Sequence, residues 1–164
     1  MIITASILIP PQAAYDIARA MRKLPPKPLT REKWHGFLRS EHSPIRVATY
    51  RVNMQNIPAW VSVHFARHKV GVEHFVTSNR ADITGRARTA EDTVDHIMVC
   101  NAQALISMAR KRLCFKAADE TREVMEAIWY AIAKADNELA YAMVPDCMYR
   151  GKCNEFTPCG RMND

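Results

Sequence analysis

The sequence predicts one globular domain that contains both strands and helices. Its 164 residues, of which 48% are hydrophobic, suffice for one substantial core and are too few for two comfortable domains. Runs rich in β-branched residues are typical of strands, and apolar residues at intervals of three and four are typical of amphipathic helices. Both patterns recur through residues 1–144, which we expect to form the domain, followed by a cysteine-containing C-terminal tail at 145–164.

The first third of the chain predicts two strands with two short helices between them. Residues 2–9 are apolar and β-branched and are stopped by two prolines, which predicts a strand. Apolar residues at helical spacing then predict a helix over 13–24, and Thr30 offers the N-cap of a second short helix that buries Trp34. Over 46–54, Val47, Thr49 and Arg51 alternate with Ala48, Tyr50 and Val52, which predicts the second strand.

The rest of the domain predicts mostly helices. Pro58 suits the first turn of a helix over 59–66 with an almost wholly buried surface. Residues 80–88 predict a loop, and a long periodic segment from Glu91 to about Leu113 predicts a helix. Its apolar face would carry both Asn101 and Arg112, about 16 Å apart along the axis. A further helix is predicted over 116–134.

Net charge points to an anionic partner. The formal net charge is +6 and the isoelectric point is near 9.2, which favours a nucleotide, a nucleic acid or a membrane surface. No stretch approaches the roughly twenty apolar residues of a spanning helix, and the start lacks the pattern of a secretory signal. We therefore expect a cytoplasmic protein with no membrane association. Five cysteines without export features predict free thiols rather than a disulfide framework.

A basic segment is the strongest candidate for a binding site. Arg67, His68 and Lys69 place three cationic or potentially cationic groups side by side, and a bound phosphate would stabilise such a cluster. Ser78 and Arg80 lie two residues apart, so both side chains would point to one face if this segment is extended. A hydroxyl and a guanidinium on one face form a second possible anion cradle. The alternative is a basic surface turn followed by an edge strand.

These residues resemble the signature of the flavin-dependent thymidylate synthases, in which Arg-His-Arg precedes Ser-x-Arg. The resemblance covers about residues 42 to 122, and its matching positions, in chain order, are His42, Ser43, Pro44, Arg67, His68, Lys69, Ser78, Arg80, Asn101, Leu105, Arg112, Ala117, Glu120 and Arg122. Departures are the lysine at 69, a spacing to Ser78 that is one residue longer, and Arg46-Val47 where the family has Glu-His.

The resemblance implies an α+β fold, a small antiparallel sheet packed with helices, assembled as a homotetramer with shared active sites. It implies transfer of a methylene group from methylenetetrahydrofolate to C5 of dUMP, with reduction by NADPH through FAD. The residues it assigns to FAD are His42, Ser43, Arg67, His68, Lys69 and Asn101. It assigns Ser78 and Arg80 to the nucleotide phosphate, and Arg112 to the uracil ring as the catalytic residue.

Two other functions and two local features stay open at this level. A related hydroxymethyl transferase would use the same nucleotide site, and a non-catalytic nucleic-acid-binding module would use the basic segment and bind no flavin. The interval between Arg80 and Asn101 is shorter than in the family. The family has a further substrate-contacting arginine in this interval, and the conjectured replacement for it here is Arg86 or Arg88. The tail has cysteines six residues apart but no Cys-x-x-Cys pair, so we favour free thiols over a metal site.

Overall fold

The computed structural model describes residues 1–162. Its strands are β1 (Ile2–Ile9), β2 (Thr49–Pro58), β3 (Val72–Val76) and β4 (Thr93–Asn101). Its helices are α1 (Pro11–Met21), α2 (Arg31–Arg39), α3 (Ala59–Ala66), α4 (Ala81–Thr84), α5 (Ala102–Arg112), α6 (Asp119–Ala135), α7 (Asn137–Ala142) and α8 (Asp146–Arg150), with a 3-10 turn at Ser43–Arg46. The strands form one antiparallel sheet in the order β1-β2-β4-β3. The predicted α+β class, with a small antiparallel sheet and packed helices, is confirmed.

The core lies on one face of this sheet. Alternate side chains of the two central strands point into it, since successive residues of a strand face opposite sides. The buried members are Tyr50, Val52, Met54, Val94, His96, Met98 and Cys100. Helix α6 packs against β1, and its buried stripe at Val124, Met125, Ile128 and Ile132 completes the core from the helical side.

A buried carboxylate ties the elements together. The Trp34 indole donates to Asp136 Oδ2 at 2.9 Å, and the Tyr50 hydroxyl donates to the same oxygen at 2.6 Å. The other oxygen, Oδ1, accepts from the Leu139 backbone nitrogen at 3.0 Å and caps α7. Burial raises the pKa of Tyr50, and the Asp136 carboxylate raises it further, so the phenol stays protonated and donates. The predicted helix capped by Thr30 is confirmed, with Thr30 Oγ1 accepting from Lys33 at 3.3 Å.

The long helix predicted from Glu91 to about Leu113 is wrong. Residues 93–101 form strand β4, and the helix begins only at Ala102. The segment 94–100 alternates strictly between buried and more exposed residues, a period of two that the helical interpretation overlooked. Asn101 is therefore the N-cap of α5, and it shares no helical face with Arg112, which lies at the other end of that helix.

Three other local expectations need correction. Helix α3 is not almost wholly buried, because Trp60 is 38% and Val63 57% exposed. Residues 77–80 form neither strand nor helix, so Ser78 and Arg80 do not share a strand face. The open alternative, a basic surface turn followed by an edge strand, describes the backbone of residues 67–76 correctly, since β3 pairs only with β4. Pro58 ends β2 and stands at the N-cap of α3.

The lengths and compositions of the helices decide whether any of them could span a membrane. Within residues 1–162, each helix is too short or too polar to cross a bilayer. The predicted tail, 145–164, begins with α8, and its last two residues, 163 and 164, lie outside the described part of the chain.

Candidate functional site

A cleft of about 410 Å³ opens between the basic turn and the start of α5. Three cations line it: Arg46 from the 3-10 turn, and Arg67 and Lys69 from the turn after α3. The opposite wall is the first turns of α5, where Gln103, Ala104 and Ser107 face the opening. The N-terminus of α5 also points at the cleft and adds the positive end of a helix dipole, although Ala102 and Ala104 already donate their backbone N–H groups to Ala48 and Asn101. The cleft is therefore a positively charged recess whose chemistry suits an anion.

Asn101 is fixed at the floor of the cleft by contacts with its neighbours. Its side-chain oxygen accepts from the Ala104 backbone nitrogen at 2.9 Å, and its backbone nitrogen donates to the Gly71 carbonyl at 3.0 Å. Gly71 has φ +73°, and a Cβ added there would lie 2.4 Å from Asn101 Nδ2. Only glycine allows this approach, so Gly71 positions the side chain of Asn101.

His68 connects the cleft to Arg112 behind it. Arg112 Nε donates to His68 Nε2 at 3.0 Å, and Arg112 Nη2 donates to the His64 carbonyl at 2.8 Å. Burial and the Arg112 charge lower the pKa of His68 to about 4, so the ring is neutral near pH 7. Because Nε2 accepts, the proton of the neutral ring sits on Nδ1. Within residues 1–162 that N–H makes no hydrogen bond, and it is free to donate to a ligand.

Arg112 sits in an unusual environment for a guanidinium. Burial, and next the nearby Arg67, lower the pKa of Arg112 from its ordinary value, although a guanidinium stays charged. Its hydrogen-bond partners are the His68 imidazole and the His64 carbonyl, and neither of them carries a negative charge. In the described part of the chain Nη1 has no hydrogen-bond partner, which leaves this nitrogen free to donate to a bound molecule.

A second histidine pair supports the basic turn from inside. His74 Nε2 donates to the His68 carbonyl at 2.8 Å, because a carbonyl oxygen can only accept. His74 Nδ1 is hydrogen-bonded to His96 Nε2 at 2.9 Å, and Ser62 Oγ is hydrogen-bonded to His96 Nδ1 at 3.0 Å. Burial lowers the pKa of His96 to about 4, so the His96 ring is neutral near pH 7. The bond from His74 to the carbonyl holds the backbone at His68 against strands β3 and β4.

Another network orients the helical wall. Gln103 Nε2 donates to Glu41 at 2.6 Å, and Arg110 forms an ion pair with the same carboxylate. Burial opposes ionisation of Glu41, but hydrogen bonds from Arg110 and Gln103 outweigh it and lower its pKa. The Arg110 guanidinium also stacks on the Tyr149 ring, 3.7 Å from its centroid. Helix α8 is thereby linked to the wall of the cleft.

The structure brings four of the predicted residues together at the cleft: Arg67, His68, Lys69 and Asn101. Arg112 lies behind His68 and reaches the cleft through it. His42 and Ser43 do not line the cleft; Ser43 begins the 3-10 turn that ends at Arg46, and the His42 ring lies against Phe37, with centroids 5.0 Å apart.

Ser78 and Arg80 stand apart from the cleft in this chain. Ser78 lines a separate hollow with Asn79 and Arg88, and Arg80 forms an exposed ion pair with Asp82 at 2.7 Å. The two candidates for the further arginine are also occupied elsewhere. Arg86 pairs with buried Asp92 at 2.7 Å, and Arg88 Nε donates to the Asn79 carbonyl at 3.1 Å.

Sequence reasoning missed several residues of the cleft, and Arg46, Gly71 and Gln103 are the three that shape it most directly. Arg46 was visible only as a departure from the family pattern. Gly71 carried a usable signal, because a glycine between a basic turn and a β-branched run marks a position with positive φ. Gln103 carried none, because its role depends on Glu41, which is distant in sequence.

Comparison with known proteins places this geometry in a known fold. No protein family model and no curated protein sequence matches the chain. A UMP/dUMP methylase, PolB, from Streptomyces cacaoi, solved with 5-Br dUMP, is 15% identical with a TM-score of 0.65; the match covers 86% of this chain and 94% of that one. Thymidylate Synthase X from Helicobacter pylori, solved with FAD and dUMP, is 12% identical with a TM-score of 0.68, covering 90% and 99%. The chain has the fold of the flavin-dependent thymidylate synthases, as the resemblance implied.

Proposed function

We propose that the chain is a flavin-dependent enzyme that methylates C5 of a pyrimidine nucleotide, converting dUMP to dTMP with methylenetetrahydrofolate and NADPH. The observation that carries the proposal is the cleft, where Arg67, His68, Lys69 and Asn101 meet in a fold shared with nucleotide-modifying proteins. Because these substrates are cytoplasmic metabolites, we also assign the protein to the cytoplasm. Recovery of the chain from an exported fraction would contradict that assignment.

The cleft fits the phosphate groups of FAD. Arg46, Arg67 and Lys69 supply three positive charges, and the N-terminus of α5 adds the positive end of its helix dipole. His42 and Ser43 complete the flavin ligands that we propose from the resemblance. When bound, the flavin supplies the hydride chemistry that reduction of the transferred methylene group requires.

Arg112 and His68 would stabilise charge on the pyrimidine. C5 becomes nucleophilic as negative charge develops across N3 and O4, and fixed donors in a site shielded from water stabilise that charge. Arg112 has a free Nη1, and its other two donors are fixed by His68 and His64. We assign Nη1 to the pyrimidine carbonyl edge, with the free Nδ1–H of His68 as a second donor to the bound nucleotide or flavin.

Titration of FAD into the purified apoprotein tests the flavin site. We expect flavin fluorescence to be quenched with a Kd no weaker than tens of micromolar, the affinity of a weak specific site. The double variant Arg67→Ala, Lys69→Ala should weaken binding at least about tenfold, since it removes two of the charges that would contact phosphate. The double variant Arg22→Ala, Lys23→Ala removes two exposed cations at the end of α1 and should leave binding unchanged.

Three outcomes would count against this proposal. If the protein does not quench FAD fluorescence, the proposed flavin site is wrong. If both double variants weakened FAD binding equally, FAD would be attracted by the net charge of the protein and not by the cleft. Strong salt-dependent binding of an oligonucleotide without any flavin binding would favour the nucleic-acid module. Mass spectrometry of the nucleotide product separates a methyl from a hydroxymethyl group and so tests the alternative hydroxymethyl transferase.

We further propose that the enzyme is a homo-oligomer, a tetramer by the resemblance. Ser78 and Arg80, the proposed phosphate ligands, lie off the cleft of their own chain, so a neighbouring subunit would have to supply them. The outer face of the sheet also exposes apolar residues, with Phe75 opposite Ile97 in the β3–β4 pairing. Light scattering should give a mass several times 18.7 kDa. A monomer at every concentration would contradict the shared site.

A further inference from the structure

Four of the five cysteines line one hollow at the C-terminal end of the chain. Cys114 follows α5, Cys147 lies in α8, and Cys153 and Cys159 lie in the irregular tail. The hollow has a volume of about 240 Å³. All four are free thiols, and the fifth cysteine, Cys100, is buried in the core. Cysteines from three separate parts of the chain therefore line the same hollow.

The tail has too little packing to account for its position. From Val144 to Met162 no residue is buried, and the Phe156 side chain is fully exposed. Ordering each backbone residue costs roughly 1–2 kcal/mol, and short segments that bury little apolar surface are usually held by disulfides or a metal. The Arg110–Tyr149 contact holds only α8. The irregular part after α8 is attached by an ion pair between Lys111 and Glu155 and by Arg161 on the Phe115 ring, and an exposed ion pair of this kind contributes little to stability.

The surroundings of Cys114 suit a thiolate. The Lys116 backbone nitrogen donates to Cys114 Sγ at 3.5 Å, and hydrogen bonds of this kind orient and stabilise metal-bound sulfur. Arg161 lines the same hollow and stacks on Phe115, 3.3 Å from the ring centroid. Lys111 lies at the rim through its ion pair with Glu155 at 3.1 Å. These cations would offset part of the negative charge of clustered thiolates.

We propose that Cys114, Cys147, Cys153 and Cys159 bind one Zn²⁺ ion, which fastens the tail to the connection between α5 and α6. Four thiols give up four protons to solvent, four Zn–S bonds of about 2.3 Å form, and the site carries a net charge of about −2. Within residues 1–162, no three His, Cys, Asp or Glu side chains are already positioned to hold an ion. Binding would therefore draw the thiols together and close the hollow.

Zinc is the metal that this ligand set favours. Four thiolates select soft or borderline metals, and a closed tetrahedral set of four sulfurs is typical of structural zinc. The wide spacing of the tail cysteines departs from the close pairs of zinc fingers because the ligands come from separate elements. The hollow shares no lining residue with the cleft, so this site is independent of the proposed nucleotide chemistry.

Metal analysis of the full-length protein tests the site. After growth in zinc-supplemented medium and purification without chelator, we expect about one zinc per chain, and four thiols that react with an alkylating reagent only after acid or chelator removes the metal. Replacement by Co²⁺ should give the intense visible bands of a tetrahedral thiolate complex. Cys153→Ser and Cys159→Ser should each lose most of the metal. The matched control, Cys100→Ala, removes the cysteine outside the hollow and should keep it.

Several results would overturn the proposal. A folded wild-type protein without zinc, whose thiols are all reactive and which gives no Co²⁺ bands, has no such site. A mass lower by two hydrogens for each bond would show disulfides, and the absorption of an iron–sulfur cluster would show another occupant. Full zinc content in the doubly substituted Cys153→Ser, Cys159→Ser protein would place the metal elsewhere. If the variants fail to fold, the Co²⁺ spectrum and thiol protection of the wild type still decide.

Discussion

Replacement of Arg112 by lysine is expected to lower the turnover of dUMP about a hundred- to a thousand-fold, the usual cost of one lost transition-state donor. The guanidinium donates to His68 Nε2 and the His64 carbonyl at once and leaves Nη1 free. A lysine ammonium keeps the charge but cannot hold this planar fork. The loss should appear in kcat rather than in KM, because the charge that Arg112 stabilises develops only in the transition state.

A matched substitution separates this effect from a general one. Arg39, like Arg112, lies in the last turn of a helix, and it is exposed, so Arg39→Lys should leave both turnover and melting temperature unchanged. Steady-state kinetics and thermal unfolding of the two variants are the measurements. If Arg112→Lys turned over normally with unchanged melting, Arg112 would only support His68, and the proposed mechanism would lose its principal residue.

Local patterns were enough to predict most of the fold. The strands 2–9 and 46–54 and the helix capped by Thr30 all appear close to their predicted places, because each has a clear period and a clear stop signal. The failure at 91–113 has a physical reason. β4 ends at Asn101 and α5 begins at Ala102, with no residue between them. The apolar pattern of the strand therefore continues directly into that of the helix, and no proline or glycine marks the junction.

Part of the site could be predicted because some of its residues are adjacent in sequence. Arg67, His68 and Lys69 are adjacent in sequence, whereas the contact of His68 with Arg112 and that of Gly71 with Asn101 depend on how β4 places α5 beside the basic turn. The buried node at Asp136, which joins Trp34 to Tyr50, left no sequence signal for the same reason. The sequence showed only the spacing of the tail cysteines. That they share a hollow with Cys114 depends on how the fold places α8 and the tail beside the end of α5.

Gly71→Ala is expected to have the second large effect, on both stability and flavin binding. An added Cβ would lie 2.4 Å from Asn101 Nδ2, so the Asn101 side chain must move and α5 loses its cap, at a cost of about 0.5–2 kcal/mol. A non-glycine residue at φ +73° adds about 1–2 kcal/mol of backbone strain. We expect a total loss of about 1.5–4 kcal/mol in the free energy of unfolding and at least a tenfold weaker affinity for FAD, about 1.4 kcal/mol.

Gly85→Ala is the matched control for this variant, because Gly85 has nearly the same backbone conformation, φ +71°, with no heavy atom within 4 Å of an added Cβ. It should therefore show only the strain, about 1–2 kcal/mol, and should bind FAD like the wild type. Urea unfolding and fluorescence titration of both variants provide the comparison. Since the two share the strain, the difference between them isolates the displacement of Asn101. A larger loss of stability in Gly71→Ala with unchanged flavin affinity would show that Asn101 caps α5 without contacting the flavin. Equal losses in the two variants would contradict the predicted displacement of Asn101.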